Sequence, residues 1–87
     1  MITQKDKETI QEICAKYHAK RVFLFGSSVE GDGNDIDLAV EGIEPEQFYR
    51  FYGDLMFSLS KPVDVVDLAA TSKFNSLIRQ EGVLLYG

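Results

Sequence analysis

The chain has 87 residues, 45% hydrophobic and 26% charged, which fits one small globular domain over residues 1–87 and excludes disorder, collagen-like repeats and two independent cores. Nine basic against fourteen acidic residues give a net charge of −5, which argues against nucleic acid as a partner, because such binding depends on Lys and Arg neutralising phosphates. No apolar run approaches the ~18 residues of a membrane helix, the N-terminus turns charged by Lys5-Asp6-Lys7, and a lone Cys14 excludes a disulfide framework or a cysteine-rich zinc site; the expected location is the cytoplasm.

Thr3 is suited to cap a first helix, with Asp6 in its first turn. Ile10, Ile13, Cys14 and Tyr17 follow at i, i+3, i+4 and i+7, the stripe of an amphipathic helix over roughly 4–18. Cys14 falls on that stripe and reads as core, and His18 at the helix end reads as a terminal or surface residue. Arg21-Val22-Phe23-Leu24-Phe25 is β-branched and aromatic and predicts a buried strand ending at Gly26. The stretch from Ser27 to Asn34 contains Gly31 and Gly33 and predicts a turn or a very short helix with a loop. Asp35-Ile36-Asp37-Leu38-Ala39-Val40 alternates strictly, as a strand with two unlike faces does.

Pro45 suits the first position of a second helix. Phe48, Tyr49, Phe51, Tyr52, Leu55, Met56 and Leu59 then form one broad apolar arc. Phe57 falls nearly opposite, either as a lone exposed aromatic or as a contact for a partner or a second copy of the chain. Pro62 to Leu68 predicts a third strand, Thr71 or Ser72 a cap for a third helix carrying Phe74, Leu77 and Ile78, and Gly82 its end. Val83 to Tyr86 predicts a last short strand. The order αββαβαβ implies an α/β fold with a small mixed sheet and helices packed mainly on one face.

Chemistry concentrates in two segments. Residues two apart in a strand project from the same face, so Asp35 and Asp37 sit side by side. Two adjacent carboxylates repel unless a cation holds them, and a hard cation such as Mg²⁺ suits them. Asp64 lies in the apolar run Val63-Asp64-Val65-Val66, where burial without a partner costs several kcal/mol. A neighbouring strand bearing Asp35 and Asp37 would complete a set of three, which can hold two metals and clamp an in-line phosphoryl displacement. Gly26 lets a phosphate approach the backbone, and Ser27 at a helical turn would offer N–H groups and a hydroxyl to an anion. An alternative for Asp35 and Asp37 is plain turn or solvent-facing chemistry, and for Asp64 an edge strand that faces water. Asp67 has the opposite parity to Asp64 and reads as strand-end solvation. A calcium loop at Asp32–Asp37 fails because Ile36 and Ile43 stand where oxygen ligands are required.

Phe25-Gly26-Ser27, then Asp35-Ile36-Asp37-Leu38, then Val63-Asp64-Val65-Val66 resemble the minimal nucleotidyltransferases of the DNA polymerase β superfamily, and Arg79 to Tyr86 is similar to their C-terminus. The resemblance implies a polymerase β-like palm fold and Mg²⁺-dependent use of ATP. It implies that Asp35 and Asp37 bind two metals, that Asp64 completes the catalytic metal site and assists deprotonation of the attacking hydroxyl, and that Gly26 and Ser27 hold the triphosphate. It also implies a HEPN-domain partner in a toxin–antitoxin pair, to which AMP is transferred. Two departures stand out. Ser28 to Asn34, seven residues, is shorter than usual in that family. Ser28 also occupies a position where small members often carry Arg, and its loss removes a bidentate phosphate contact; Lys61, Lys73 and Arg79 are substitutes to consider. The competing expectation is a non-catalytic antitoxin that neutralises its partner by contact.

Overall fold

A computed structural model describes residues 2–26, 35–69 and 72–87. Its elements are α1 (Gln4–Lys16), β1 (Arg21–Leu24), β2 (Ile36–Glu41), a 3-10 turn (Pro45–Gln47) leading into α2 (Phe48–Ser58), β3 (Val63–Asp67), α3 (Lys73–Glu81) and β4 (Val83–Tyr86). Both helix caps read from the sequence are present. Thr3 Oγ1 accepts from Asp6 N at 3.1 Å, and of the two candidates for α3, Ser72 Oγ accepts from Asn75 N at 3.0 Å; each satisfies an N–H that the helix leaves open. Helix α1 stops two residues short of the expected end. His18 takes a left-handed backbone with φ +59°, its N–H donating to Ala15 C=O at 3.3 Å while Ala19 N–H donates to Cys14 C=O at 2.9 Å. This is the Schellman arrangement, with histidine where glycine is usual.

The four strands lie in the order β3-β2-β1-β4. Strand β1 pairs antiparallel with both β2 and β4. Strands β2 and β3 are parallel, which requires a crossover, supplied by α2. β3 and β4 are therefore the edges, and Gln11 Nε2 covers part of the second by donating to Leu85 C=O at 3.0 Å.

Alternation along the strands divides the interior in two. On one face Val22, Leu24, Ile36, Leu38 and Val40 pack against Ile10, Ile13 and Cys14 of α1 and Phe51 and Leu55 of α2. Burial pushes the Cys14 thiol up to about 12, so it is inert packing rather than a nucleophile. α1 and α2 are pinned together by Lys16 Nζ and Tyr17 Oη, both donating to Asp54 Oδ2, at 3.1 and 2.7 Å. Asp6, 4% exposed, accepts from Ser60 N and Oγ just beyond α2.

On the other face Phe23, Ala39 and Leu68 pack against Ile78 of α3. Two helices thus cover one face, as expected, and the shorter third takes the opposite one. The arc read along α2 is narrower than expected. Phe51, Leu55 and Leu59 are buried, whereas Tyr49 and Met56 are exposed, because the sheet reaches only the central strip of the helix; Phe57, read as lying opposite the arc, is exposed at 95% as expected. Among the described residues no helix is long and apolar enough to cross a membrane.

Candidate active site

The site forms where β1 ends beside the start of β2. Phe25 N–H donates to Asp37 C=O at 3.0 Å, carrying the antiparallel ladder one step beyond β1. Gly26 then turns away with φ +67°, and a Cβ there would lie 3.0 Å from Asp37 Oδ2. Both the backbone conformation and the close approach of the carboxylate call for glycine. The chain is thus bare of side chain at the point where Asp37 comes nearest. Ser27, expected to act with Gly26, lies outside the described residues.

The parallel register sets Ile36 opposite Val63, Asp37 opposite Asp64 and Ala39 opposite Val66. Paired residues of adjacent strands project to the same side. Asp37 and Asp64 therefore share the face covered further along by α3, and Asp35, two residues before Asp37, has the same parity. Burial pushes the Asp37 carboxyl above its ordinary value, and the charges of Asp64 and then Asp35 push it further. The three acids singled out in the sequence thus occupy one electrostatic neighbourhood, although Asp35 and Asp64 are themselves exposed. For Asp64 the structure takes the edge-strand alternative: β3 lies at an edge of the sheet, so the carboxylate meets water.

Their side chains do not close around one point. Among the described residues, no group of three or more His, Cys, Asp or Glu side chains is gathered tightly enough to enclose an ion. One oxygen of Asp64 is engaged elsewhere: Tyr52 Oη, from α2, lies 3.4 Å from Asp64 Oδ1 and donates to Val63 C=O at 3.1 Å. Burial pushes the Tyr52 phenol up, and the Asp64 charge adds to it. The sequence offered no signal for this contact, since Tyr52 reads as one residue of an apolar arc. The donor chemistry fits a divalent cation all the same. All three side chains present hard oxygens, and their mutual repulsion is what a cation relieves.

Of the basic residues considered for the phosphates, Arg79 is committed to the far end of the sheet. It donates to Leu68 C=O at 2.9 Å and pairs with Glu41, the last residue of β2 and remote from Asp37 at its start. Lys73 opens α3, and Lys61 lies just before β3 at the Asp35 end, where Ile36 N–H donates to Pro62 C=O at 2.8 Å.

The chain belongs to the polymerase beta nucleotidyltransferase family, whose model matches residues 8–87. This bears out the resemblance read from the Gly26, Asp35, Asp37 and Asp64 segments. No curated protein matches the chain significantly. Solved structures share the fold. A toxin–antitoxin structure with AMP-PNP is 24% identical, with a TM-score of 0.76, 93% of this chain and 73% of that chain being covered. A complex of tri-AMPylated Shewanella oneidensis HEPN toxin with MNT antitoxin is 24% identical, with a TM-score of 0.70 and coverage of 97% and 71%. An MntA toxin–antitoxin complex bearing two Asp-to-Glu changes two positions apart is 23% identical, with a TM-score of 0.77 and coverage of 93% and 72%.

Proposed function

We propose that this chain is a Mg²⁺-dependent nucleotidyltransferase of the cytoplasm. It moves AMP from ATP to a hydroxyl on a helical HEPN-type partner, as the antitoxin of a toxin–antitoxin pair. The observation that carries the reading is the opposition of Asp37 and Asp64 across β2 and β3, beside a glycine that is bare of side chain where the Asp37 carboxylate comes nearest. Family membership supports the reaction class. The AMPylated toxin in one structural neighbour and the AMP-PNP in another support the nucleotide and the partner.

In this reading Asp35, Asp37 and Asp64 hold the metal, and Gly26, with Ser27 following, holds the triphosphate. Bound there, Mg²⁺ supplies charge neutralisation along the phosphates and at the attacking and leaving oxygens. Asp64, on the open edge strand, faces the side from which an acceptor approaches and takes the proton of the attacking hydroxyl. The new bond joins that oxygen to the α-phosphorus. The bond from the α-phosphorus to the bridging oxygen breaks, and pyrophosphate leaves with the electron pair.

The test is incubation of the chain with α-phosphate-labelled ATP, Mg²⁺ and a HEPN partner. Label is expected on the partner with the wild type and not with Asp37→Asn or Asp64→Asn. Transfer that persists in both variants contradicts these assignments.

A second reading, neutralisation of the partner by contact alone, is favoured by the exposed Tyr49, Met56 and Phe57 on α2 and by carboxylates that do not converge unaided. It predicts a complex that blocks the toxin without label transfer and is unaffected by either Asp→Asn change.

A further inference from the structure

At the outer edge of β3 the crossover helix reaches the acidic site. Pro62 C=O, just before β3, faces β2 and accepts from Ile36 N–H at 2.8 Å. Successive carbonyls of a strand point to opposite sides, so Val63 C=O turns to the open edge. Tyr52 Oη comes over from α2 and donates to it at 3.1 Å. The same oxygen lies 3.4 Å from Asp64 Oδ1. The Tyr52 ring is seated by packing: it lies against the α1–α2 core and meets the Phe48 ring edge to face, with centroids 6.4 Å apart and an interplanar angle of 84°. Asp64, by contrast, is exposed on an edge strand, and Tyr52 is its one hydrogen-bonding neighbour among the described residues.

An exposed aspartate samples several rotamers, and an ion that recruits it must pay to order it. A donor fixed beside one of its oxygens lowers that cost, as the outer partners of metal-ligating carboxylates do. A hydroxyl carries one proton and turns it to suit its acceptors. Rotation about the Cζ–Oη bond takes the Tyr52 proton from Val63 C=O to Asp64 Oδ1, and a contact that is long without substrate tightens once the site is loaded. We propose that Tyr52 is a positioning residue for Asp64: from α2 it holds Oδ1 at the strand edge and leaves the second oxygen to the divalent ion. The inference rests on the nucleotidyltransferase reading. It adds to the site a helix that carries none of the three acids, and it assigns Tyr52 no contact with nucleotide or acceptor.

The test compares the full chain as wild type, Tyr52→Phe and Tyr17→Phe. The first substitution keeps the ring and removes only the hydroxyl. The second removes the other tyrosine hydroxyl bonded across α2, the one that donates to Asp54, and so controls for loss of stability without touching Asp64. Mn²⁺ affinity in the presence of AMP-PNP is expected to fall roughly tenfold in Tyr52→Phe and to stay at the wild-type value in Tyr17→Phe. In the metal-free chain the side-chain carboxyl ¹³C resonance of Asp64, assigned by its loss in Asp64→Asn, is expected to move in Tyr52→Phe and not in Tyr17→Phe. AMP transfer should lose kcat in Tyr52→Phe with KM for the partner unchanged. Wild-type Mn²⁺ affinity in Tyr52→Phe, or an equal loss in Tyr17→Phe, overturns the positioning role while leaving the nucleotidyltransferase reading intact. A wild type that binds no Mn²⁺ with AMP-PNP overturns that reading and the positioning role with it.

Discussion

Asp37 and Asp64 stand opposite each other on adjacent parallel strands, and the charge of Asp64 is one reason the Asp37 carboxyl is hard to ionise. The pairing exists because α2 crosses over the sheet and returns the chain to lie beside β2 in the same direction. A one-residue slip of β3 would send Asp64 to the α1–α2 face and bring a valine to its place. Val63, buried on the α1–α2 face, holds the register.

Asp37→Asn is expected to make the metal-free protein more stable while removing transfer activity. Burial first, then Asp64 and Asp35, raise the folded-state value of Asp37 above its ordinary 3.8. A carboxyl raised in this way costs no stability below the unfolded value, and the cost grows as pH rises through the folded value. Melting temperatures of wild type and Asp37→Asn should therefore coincide in acid and separate toward neutral pH, with the variant higher. Added Mg²⁺ should narrow the gap by raising the wild type. A variant that melts lower than the wild type at neutral pH contradicts the repulsion.

Gly26→Ala forces a side chain into a left-handed backbone, at a cost of about 1–2 kcal/mol, and sets its Cβ 3.0 Å from Asp37 Oδ2. Denaturant melts should show that loss. Mg²⁺-dependent nucleotide binding should fall by more than the stability change explains, because the carboxylate must move.

At the other end of β2, Glu41 pairs with Arg79, Arg21 and Lys20. Partial burial pushes its carboxyl up, but Arg79 and then Arg21 pull it net below the ordinary 4.5. A lowered value means stability that is full above the unfolded value and is lost as pH falls through the folded one. Glu41→Gln should lower the melting temperature at neutral pH, and the difference should vanish in strong acid. AMP-PNP affinity should be unchanged, since this cluster lies away from Asp37.

His18→Gly should stabilise the chain by up to about 1 kcal/mol, because a β-carbon at φ +59° is strained and glycine is not. Chemical denaturation reads this directly. A destabilised variant would show that the imidazole makes a compensating contact.

Much of this was legible in the sequence because it depends on local pattern. The Thr3 cap, the stripe of Ile10, Ile13 and Cys14, and the shared parity of Asp35 and Asp37 all follow from periodicity. What escaped depends on neighbours distant along the chain. The valine-rich run around Asp64 left a buried and an edge strand both open, and β3 lies at an edge with Asp64 exposed; composition does not say how many strands flank a given one. The stripe of Phe74, Leu77 and Ile78 makes α3 amphipathic but does not say which face of the sheet it covers. Arg79 reads as one candidate for the phosphates, but Glu41, 38 positions away, holds it. Tyr52 counts as one more apolar residue until the fold sets its hydroxyl beside Asp64.

The central claim is that Asp37 and Asp64, from two separate strands, act together on one divalent ion beneath a nucleotide. Electron paramagnetic resonance of Mn²⁺ with AMP-PNP and protein tests it most directly, with wild type, Asp37→Asn and Asp64→Asn compared at matched fold stability. The account predicts a protein-bound Mn²⁺ signal in the wild type that is lost in each single variant. Mn²⁺ binding by Asp64→Asn as tight as that of the wild type would contradict it.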